Sequence, residues 1–574
     1  MSDILSHLVA LYGEQVGRAT FGRIAELVEN ARRPAAGQPS LALAETDAFL
    51  ITYGDQVRTP GEPPLQTLAD FCAAHLCAVV SGIHLLPFFP YSSDDGFSVM
   101  DYRAVDPALG TWDDIARFRE KFRLMFDLVA NHISVQSKWF QGFLRDDPRE
   151  RDYFILVPDD ADVSRVVRPR TAPLVTRFET ARGAKNVWTT FSADQVDLNY
   201  GNPAVLVEMV QVMLFYVARG AEFIRLDAIA FLWKEFGTTC LHLPQTHRVV
   251  QLLRAILDEV APQVILITET NVPHSDNISY FGNGTNEAQM IYNFALPPLV
   301  LHAFNTGDAR TLAHWASDLT LPSERLTFFN FLASHDGIGL NPARGILKDG
   351  EIDALVTRAE QHGGWVSYKN NPDGTSSPYE LNISFFDALS DPPARESLDV
   401  QIDRFICAHA IMLTLRGVPG IYFHSLFGSR SWRAGVARTG SNRTVNREKL
   451  SRDPLEYELS DPASLRRRVF ARFKRLLQVR RANAAFSPST PMRIIEANPS
   501  VLIVVRGRID GQAVVCLHNV SGEPQKVDLS GQLIGGAGTG ELVDLITQRV
   551  FDRTREIDLT PYEVLWLTGV PAIR

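Results

Sequence analysis

The pattern of hydrophobic and polar positions divides the chain into three parts. Residues 1–45 are mostly polar and follow a helical period. Beyond them, short runs of β-branched and aromatic residues alternate with helical patterns as far as residue 485. From residue 490 onward, short alternating strands are separated by Gly-rich turns. We therefore predict a helical N-terminal extension over 1–45, a central domain over 46–485 and a β-sandwich-like domain over 490–574.

Eight apolar runs of the central part are predicted strands, at 49–53, 83–87, 124–129, 222–228, 264–269, 290–294, 328–336 and 417–423. Helical patterns lie between several of them. The clearest begins with Asn202 as N-cap and Pro203 in the first turn, and it ends at Gly220. Eight strands alternating with helices predict an α/β fold, the (β/α)8 TIM barrel. In that architecture the active site lies at the carboxyl ends of the strands.

Two connections are too long to be simple barrel loops. One, 133–200, follows the third predicted strand, and the other, 337–395, follows the seventh. Loops of this length in a compact domain are usually functional or form small subdomains. We expect an inserted subdomain at 133–200 and a lid subdomain at 337–395, both overhanging the carboxyl ends of the strands.

Three acidic residues stand where predicted strands end. Asp227 ends the fourth strand, Glu269 the fifth and Asp336 the seventh. Arg225 lies two positions before Asp227, so the two side chains leave the strand on the same side. A neighbouring guanidinium favours the ionised carboxylate, which makes Asp227 a candidate nucleophile. The alternative for this pair is a buried ion pair that only joins neighbouring strands.

Composition and charge exclude several classes of protein. The chain has 574 residues, of which 45% are hydrophobic and 21% charged, and its formal net charge is −9 at pH 7. This fits a large globular protein and argues against nucleic acid or an anionic membrane as the main partner. The cysteines include no Cys-x-x-Cys pair, the first residues resemble no export signal, and no apolar stretch approaches the roughly 18 residues of a membrane span. We expect residence in the cytoplasm.

Four motifs resemble those of the α-amylase family of glycoside hydrolases. They lie in order at 127–132, 223–228, 267–269 and 331–336, and the resemblance extends over nearly the whole chain to 561–565. It implies a retaining glycosyl transfer by two carboxyl groups, with Asp227 as the nucleophile and Glu269 as the general acid/base. Asp336 would hold sugar hydroxyls as the oxocarbenium-like transition state forms.

Within that family the chain is most similar to the sucrose phosphorylase subgroup, through 51–53, 94–97, 195–197, 234–235, 237–240, 295–299 and 335–339. The resemblance implies a glucose pocket formed by Asp94, His132, Phe191, Gln195, Arg225, His335 and Arg443. Asp94 and Arg443 would hold the distal hydroxyls of glucose. In calcium-binding relatives the Asn131 position is a metal ligand, but no further carboxylate cluster completes a site here, so we expect no metal.

Phosphorolysis requires an anion beside the catalytic carboxylates. Arginine suits this requirement, because its guanidinium forms forked, charge-assisted hydrogen bonds to oxyanions. The candidates on the two long connections are Arg168, Arg170 and Arg344. The alternative for each of them is a salt bridge at the rim of the site.

The acceptor is indicated by the residues that follow the acid/base. Glu269 is followed by Thr270 and Asn271 instead of the Val-His run usual in sucrose phosphorylases. This run, with 233–234 and 444–447, is more similar to the glucosylglycerate phosphorylases, whose acceptor is D-glycerate. The resemblance adds Lys234 and Asn271 to the candidates for binding phosphate or the acceptor.

The expected activity is the reversible phosphorolysis of 2-O-α-D-glucosyl-D-glycerate to α-D-glucose 1-phosphate and D-glycerate, through a covalent glucosyl-enzyme. The alternatives are a phosphorylase of sucrose, sucrose 6'-phosphate or glucosylglycerol, an α-glucosidase, and, in a different class, a non-catalytic sugar-binding scaffold. We expect no cofactor, with inorganic phosphate as co-substrate. The expected partners are small-molecule substrates, with neither nucleic acid nor membrane, in a monomer or homodimer.

Overall fold

The computed structural model describes residues 1–32, 43–371, 374–390, 396–507, 513–529 and 540–569. Parts of the predicted N-terminal extension, lid and C-terminal domain lie outside these residues. The central part is a closed barrel of parallel strands that follow one another around the axis in chain order. Its strands are β1 (Phe49–Thr52), β2 (Gly82–Leu85), β3 (Arg123–Leu128), β4 (Ala221–Leu226), β5 (Ile265–Thr268), β6 (Met290–Tyr292), β7 (Thr327–Asn330) and β8 (Val418–Tyr422). Each strand overlaps one of the eight predicted runs, so the (β/α)8 barrel is confirmed.

The barrel strands are buried on both faces and mostly apolar, because helices cover the outside and side chains fill the inside. The Phe49 ring lies 4.5 Å from the Phe223 ring in an edge-on arrangement. Glycines make room for these rings: a Cβ on Gly82 would lie 2.2 Å from the ring of Phe49, and a Cβ on Gly420 would lie 2.4 Å from the ring of Phe329. The interior is thus a packed core and not a pore.

Helices cover the barrel. The longer ones are Pro64–His75, Pro203–Ala218, Pro244–Val260, Leu296–Thr306, Leu398–Thr414 and Leu465–Arg481, and the shorter ones are Trp112–Phe118, His274–Ile278, Arg310–Ser317, Phe423–Leu426, Arg433–Thr439 and Arg452–Ser460. The predicted N-cap of Pro203–Ala218 is confirmed, since the Asn202 side chain accepts a hydrogen bond of 3.0 Å from the Ala204 amide. The helix ends just before Gly220, whose φ is +99°.

The N-terminal part is the helix Ser2–Ala31, which Gly13 interrupts with φ 79° and ψ 169°. Glycine adopts such a backbone at no steric cost. A Cβ on Gly17 would lie 2.7 Å from the Cα of Val9, so the chain folds back on itself and only glycine fits there. The resulting helical hairpin packs on the helices Pro203–Ala218 and Pro244–Val260, outside the barrel.

Both long connections have secondary structure of their own. After β3, strand His132–Ser134 pairs with Gln195–Asp197, and Val175–Thr180 pairs with Gly183–Trp188, both antiparallel. The helix Lys138–Leu144 belongs to the same connection. After β7, the strands Ile338–Gly339, Ser376–Asn382 and Trp365–Asn370 form an antiparallel sheet in that order, accompanied by the helices Asp349–Gln361 and Phe385–Leu389.

The C-terminal part is all-β, as predicted. A six-stranded antiparallel sheet has the spatial order Met492–Ile495, Val501–Arg506, Val514–Asn519, Val564–Gly569, Glu541–Asp544 and Val550–Asp552. A second ladder pairs Gln525–Val527 with Ile557–Leu559. Buried Ile503, Val515 and Leu565 belong to a separate hydrophobic core within this C-terminal part.

Across the described ranges, no helix combines the length and the apolar character that crossing a membrane requires.

Candidate active site

A pocket lies at the carboxyl ends of the barrel strands, where the two long connections meet. Of the predicted site residues it is lined by Asp94, His132, Arg170, Phe191, Gln195, Asp227, Glu269, Asn271, His335, Asp336 and Arg443. Asp227 and Glu269 come directly after β4 and β5. Strand β7 ends earlier than predicted, at Asn330, so Asp336 lies on the following loop, where its amide donates to the Ser334 hydroxyl.

Arg225 lies beneath the pocket and joins two carboxylates. It stands on β4 in register with Asp127 on β3. Its Nη1 donates to Asp127 and, over 2.9 Å, to Oδ1 of Asp227. Its Nη2 lies 3.8 Å from Oε2 of Glu269. One buried guanidinium therefore bonds Asp227 and lies within ion-pair distance of Glu269, the two carboxyl groups that a retaining glycosyl transfer would use.

Glu269 is held by the backbone next to Asp227. The Ala228 amide donates a hydrogen bond of 3.0 Å to Oε2 of Glu269. Ala228 has φ +49°, a left-handed conformation that costs energy in a residue with a Cβ. The strained turn after β4 thus directs the Asp227 side chain and the Ala228 amide toward the same pocket.

Burial raises the pKa of both Asp227 and Glu269, and Arg225 opposes this effect at each. The charge of Glu269 further raises the pKa of Asp227. Two such neighbouring carboxyl groups titrate as a pair. Arg225 bonds Asp227 directly and lies farther from Glu269, so its charge favours the ionised form more strongly at Asp227 than at Glu269.

Asp336 lies against two arginines and a histidine. Arg443 Nη1 lies 2.7 Å and Arg447 Nη2 3.3 Å from its Oδ1, and Nε2 of His335 lies 3.5 Å from its Oδ2. Burial alone would raise the pKa of Asp336, but Arg443, His335 and Arg447 lower it below its usual value. Asp336 is therefore an ionised acceptor, suited to binding hydroxyl groups and to stabilising positive charge.

Asp94 stands on a turn with φ +53°. Arg170 Nη2 lies 3.0 Å and Gln195 Nε2 3.4 Å from its Oδ2. Burial opposes ionisation, but Arg170 and Arg447 lower the pKa of Asp94 below its usual value. The hydroxyls of Ser92 and Ser98 bond Oδ2 of Asp194 over 2.6 and 2.8 Å, which ties this turn to the Gln195 strand.

The two predicted histidines are neutral donors and acceptors. Burial lowers the pKa of His132 to about 4 and that of His335 to about 3. The His335 ring stacks on Phe97 at a centroid distance of 4.8 Å, and the His132 ring lies 5.1 Å from Phe191. These rings form apolar walls between polar groups, an arrangement suited to a sugar.

The structure separates the five candidates for binding phosphate or the acceptor. Arg170 and Asn271 line the pocket, and the Asn271 Oδ1 is buried without a hydrogen-bond partner among the described residues. Arg168 donates to the carbonyls of Thr171 and Ala172, within its own loop. Arg344 donates to the Pro378 carbonyl over 3.3 Å. Arg168 and Arg344 thus hold backbone and do not line the pocket.

Lys234 is buried and also does not line the pocket. Its ammonium lies 2.5 Å from Oδ2 of Asp197 and 2.6 Å from Oδ1 of Asn131. The structure therefore gives it an interior ion pair in place of the predicted contact with phosphate or acceptor.

Within the described residues, no group of three or more His, Cys, Asp or Glu side chains is arranged to hold a metal ion.

Three residues in or next to the pocket were not predicted. Arg447 joins Asp94 and Asp336, and it lies four positions after Arg443 in the same short segment, a spacing that offered a signal. Tyr379 lines the pocket, and Glu380 accepts a 3.0 Å bond from Arg443 and one from the Gly337 amide. No motif in the long connection after β7 distinguished these two residues.

The pocket opens into an outer chamber of about 370 Å³, which shares Pro169, Arg170, Tyr379 and Arg443 with it. Thr171, Ser367 and Ser441 line the outer part. A larger cavity of about 1050 Å³ lies elsewhere, beside Ile265 and Thr327 at the amino ends of β5 and β7. The shared arginines therefore lie between the two cavities.

Known proteins resemble this chain over nearly its whole length. Residues 78–336 match the family described as alpha amylase, catalytic domain. The sequence is 52% identical over 98% of both chains to the glucosylglycerate phosphorylase of Allomeiothermus silvanus. It is 46% identical to that of Escherichia coli, over 98% of this chain and 99% of the other. The fold resembles sucrose 6F-phosphate phosphorylase from Thermoanaerobacter thermosaccharolyticum with a TM-score of 0.73, at 22% identity, over 91% of this chain and 99% of that one.

Proposed function

The chain belongs to the α-amylase family and, within it, to the glucosylglycerate phosphorylases, and on that premise we propose that it catalyses the reversible phosphorolysis of 2-O-α-D-glucosyl-D-glycerate. The products are α-D-glucose 1-phosphate and D-glycerate. The observation that carries the proposal is the arrangement of Asp227 and Glu269 around Arg225, in a pocket whose mouth holds Arg170.

In the first displacement, the glucosyl unit lies in the pocket and Asp227 attacks its anomeric carbon. The bond from this carbon to the glycerate oxygen breaks while a bond to a carboxylate oxygen of Asp227 forms. Glu269 gives its proton to the departing glycerate oxygen. Ionised Asp336 stabilises the positive charge that develops on the sugar ring.

In the second displacement, phosphate occupies the place that glycerate has left. Glu269, now ionised, takes a proton from phosphate as a phosphate oxygen attacks the anomeric carbon and the bond to Asp227 breaks. Two inversions give net retention, so the product is the α-anomer of glucose 1-phosphate. The same steps in reverse make glucosylglycerate.

Both the acceptor and the co-substrate are anions that use the same side of the anomeric carbon. Arg170 lines this pocket, its side chain is 31% exposed, and one of its nitrogens is bonded to Asp94. Its remaining N–H groups are suited to a carboxylate or a phosphate. The unpartnered Oδ1 of Asn271 is suited to accepting a hydrogen bond from a hydroxyl of D-glycerate.

The chemistry needs no metal or organic cofactor, because the carboxyl groups supply the nucleophile and the proton, and inorganic phosphate is the co-substrate. We place the enzyme in the cytoplasm, which its free cysteines support. Its partners are its small-molecule substrates, without nucleic acid or membrane. The described residues of one chain line the pocket, and we expect a monomer or a homodimer.

The test is phosphate release from α-D-glucose 1-phosphate with D-glycerate, fructose, fructose 6-phosphate, glycerol or water alone as the acceptor. We expect release that depends on D-glycerate. Release that depends on another acceptor would show that the substrate is a different α-glucoside. Release with water alone would show that the enzyme is a hydrolase.

A matched pair of variants ties the activity to this pocket. Asp227→Asn keeps the size of the side chain but removes the nucleophile, so we expect turnover to disappear. Asp558→Asn changes a side chain that is 81% exposed in the C-terminal part, and it should keep the wild-type rate. Turnover by Asp227→Asn would overturn the proposed mechanism.

A further inference from the structure

A line of buried polar side chains continues from Asp227 into the centre of the barrel. Below Arg225 and Asp127 lie His84 on β2 and Tyr292 on β6, each with at most 3% of its surface exposed. The interior of such barrels is mostly apolar, and buried polar groups are costly unless they are bonded. The presence of this line beneath the nucleophile therefore requires an explanation.

The hydrogen bonds of His84 fix which nitrogen carries its proton. Its Nε2 lies 2.7 Å from Oδ2 of Asp127, and its Nδ1 lies 3.5 Å from the Tyr292 hydroxyl. Burial opposes ionisation of Asp127, but Arg225 and His84 lower the pKa of Asp127 to about 2, so it is ionised and accepts only. Burial lowers the pKa of His84, which is therefore neutral. Nε2 carries the hydrogen and donates to Asp127, while Nδ1 is free to accept from Tyr292.

Asp127 and Asp227 share the charge of one guanidinium, since the same nitrogen of Arg225 donates to both. If Asp127 binds the guanidinium more strongly, less of its positive charge is available to stabilise ionised Asp227. The hydrogen bond from His84 draws negative charge toward the other oxygen of Asp127, away from Arg225. His84 does this as a neutral donor that adds no charge of its own.

We propose that His84 is a positioning residue of the reaction, which acts through Asp127 and Arg225 to keep Asp227 ionised and ready to attack. The inference rests on the retaining chemistry proposed above. It assigns a role to a side chain that touches neither the sugar nor the acceptor. The titratable groups that face Asp227 are Arg225, Glu269, Asp127, Asp336, Tyr102 and Tyr292.

The test is the pH dependence of fluoride release from α-D-glucosyl fluoride. Fluoride leaves with little help from an acid, so the acidic limb of kcat/KM reports the ionisation of Asp227 and not the acceptor. Wild-type fluoride release without turnover of glucosylglycerate would refute the proposed substrate and leave this test intact.

Three variants distinguish the effect of losing the His84–Asp127 hydrogen bond from the effect of disturbing the fold. His84→Leu removes the donor, His84→Asn is too short to reach Asp127, and His84→Gln places an amide N–H at a similar reach. We expect the acidic limb to move to higher pH by about half to one unit in the Leu and Asn variants and to stay near the wild-type position in the Gln variant. His409→Leu, which changes a buried histidine bonded to the Phe405 carbonyl outside the site, should leave it unmoved.

An acidic limb of His84→Asn at the wild-type pH would overturn the proposal. So would a His84→Gln profile displaced as far as that of His84→Asn. If His84→Leu does not fold, the comparison of the Asn and Gln variants still decides, because they differ by one methylene and both remain polar. A loss of rate that is equal at every pH would indicate a purely structural role and would also overturn the proposal.

Discussion

Replacement of Arg170 by alanine should weaken the binding of phosphate and of D-glycerate while it spares the glucose pocket. One Arg170 nitrogen is already bonded to Asp94 at 3.0 Å, and of the remaining N–H groups we expect one or two to contact an anion. A hydrogen bond to a charged group contributes about 1.5–3 kcal/mol, and the partial exposure of Arg170 favours a total within that range. Asp94 keeps Arg447 at 3.5 Å in the variant, so it stays ionised.

The corresponding change in KM is roughly 10- to 150-fold, because each 1.4 kcal/mol is about a factor of ten. The assay measures KM for phosphate at saturating glucosylglycerate and KM for D-glycerate at saturating glucose 1-phosphate. Arg170→Lys keeps the charge but loses the forked geometry, so its KM values should lie between those of the wild type and Arg170→Ala. Hydrolysis of α-D-glucosyl fluoride, which uses water, should fall by less than about threefold.

The controls are Arg168→Ala and Arg344→Ala, which remove arginines that the sequence alone ranks with Arg170. Both bond backbone carbonyls outside the pocket, so their KM values for the two anions should change by less than about threefold. Unchanged KM values in Arg170→Ala would refute the reasoning. A rise in Arg344→Ala without one in Arg170→Ala would show that the lid, and not the pocket arginine, receives the anion.

Two further predictions concern the acid/base and the buried lysine. Glu269 must be protonated in the first displacement, and burial raises its pKa, so kcat/KM for glucosylglycerate should fall only as pH rises through that raised pKa. With α-D-glucosyl fluoride as the donor, whose leaving group needs little acid, this basic limb should be absent in the wild type and in Glu269→Ala alike, and a persisting limb would assign it to another group. Lys234→Met leaves the buried Asp197 carboxylate unpaired, which should lower the free energy of unfolding in urea by about 3–5 kcal/mol. Lys526→Met breaks a pair whose lysine is 66% exposed and should cost less than about 1 kcal/mol; equal losses in the two variants would contradict the argument.

Local pattern was enough to predict the barrel. The strands of a parallel barrel are buried on both faces, so each appears in the sequence as a continuous apolar run, whatever its neighbours are. The positions of Asp227 and Glu269 followed from the same pattern, because a polar residue that ends such a run must lie at the strand exit. The end of β7 was placed too late, since the apolar run continues through Phe331 and Leu332 after the strand pairing has ended at Asn330.

The sequence by itself thus determined the barrel, the all-β C-terminal part and the strand exits where the acids stand. Only the tertiary structure decided which cations reach the pocket. Arg168, Arg170 and Arg344 are chemically alike, and the path of two long connections without a local period separates them. The ammonium of Lys234 donates to Asn131, 103 positions away in the chain. Glu380 accepts from Arg443, 63 positions away. Contacts over such distances depend on how separate elements pack together, and no local pattern of residues encodes them.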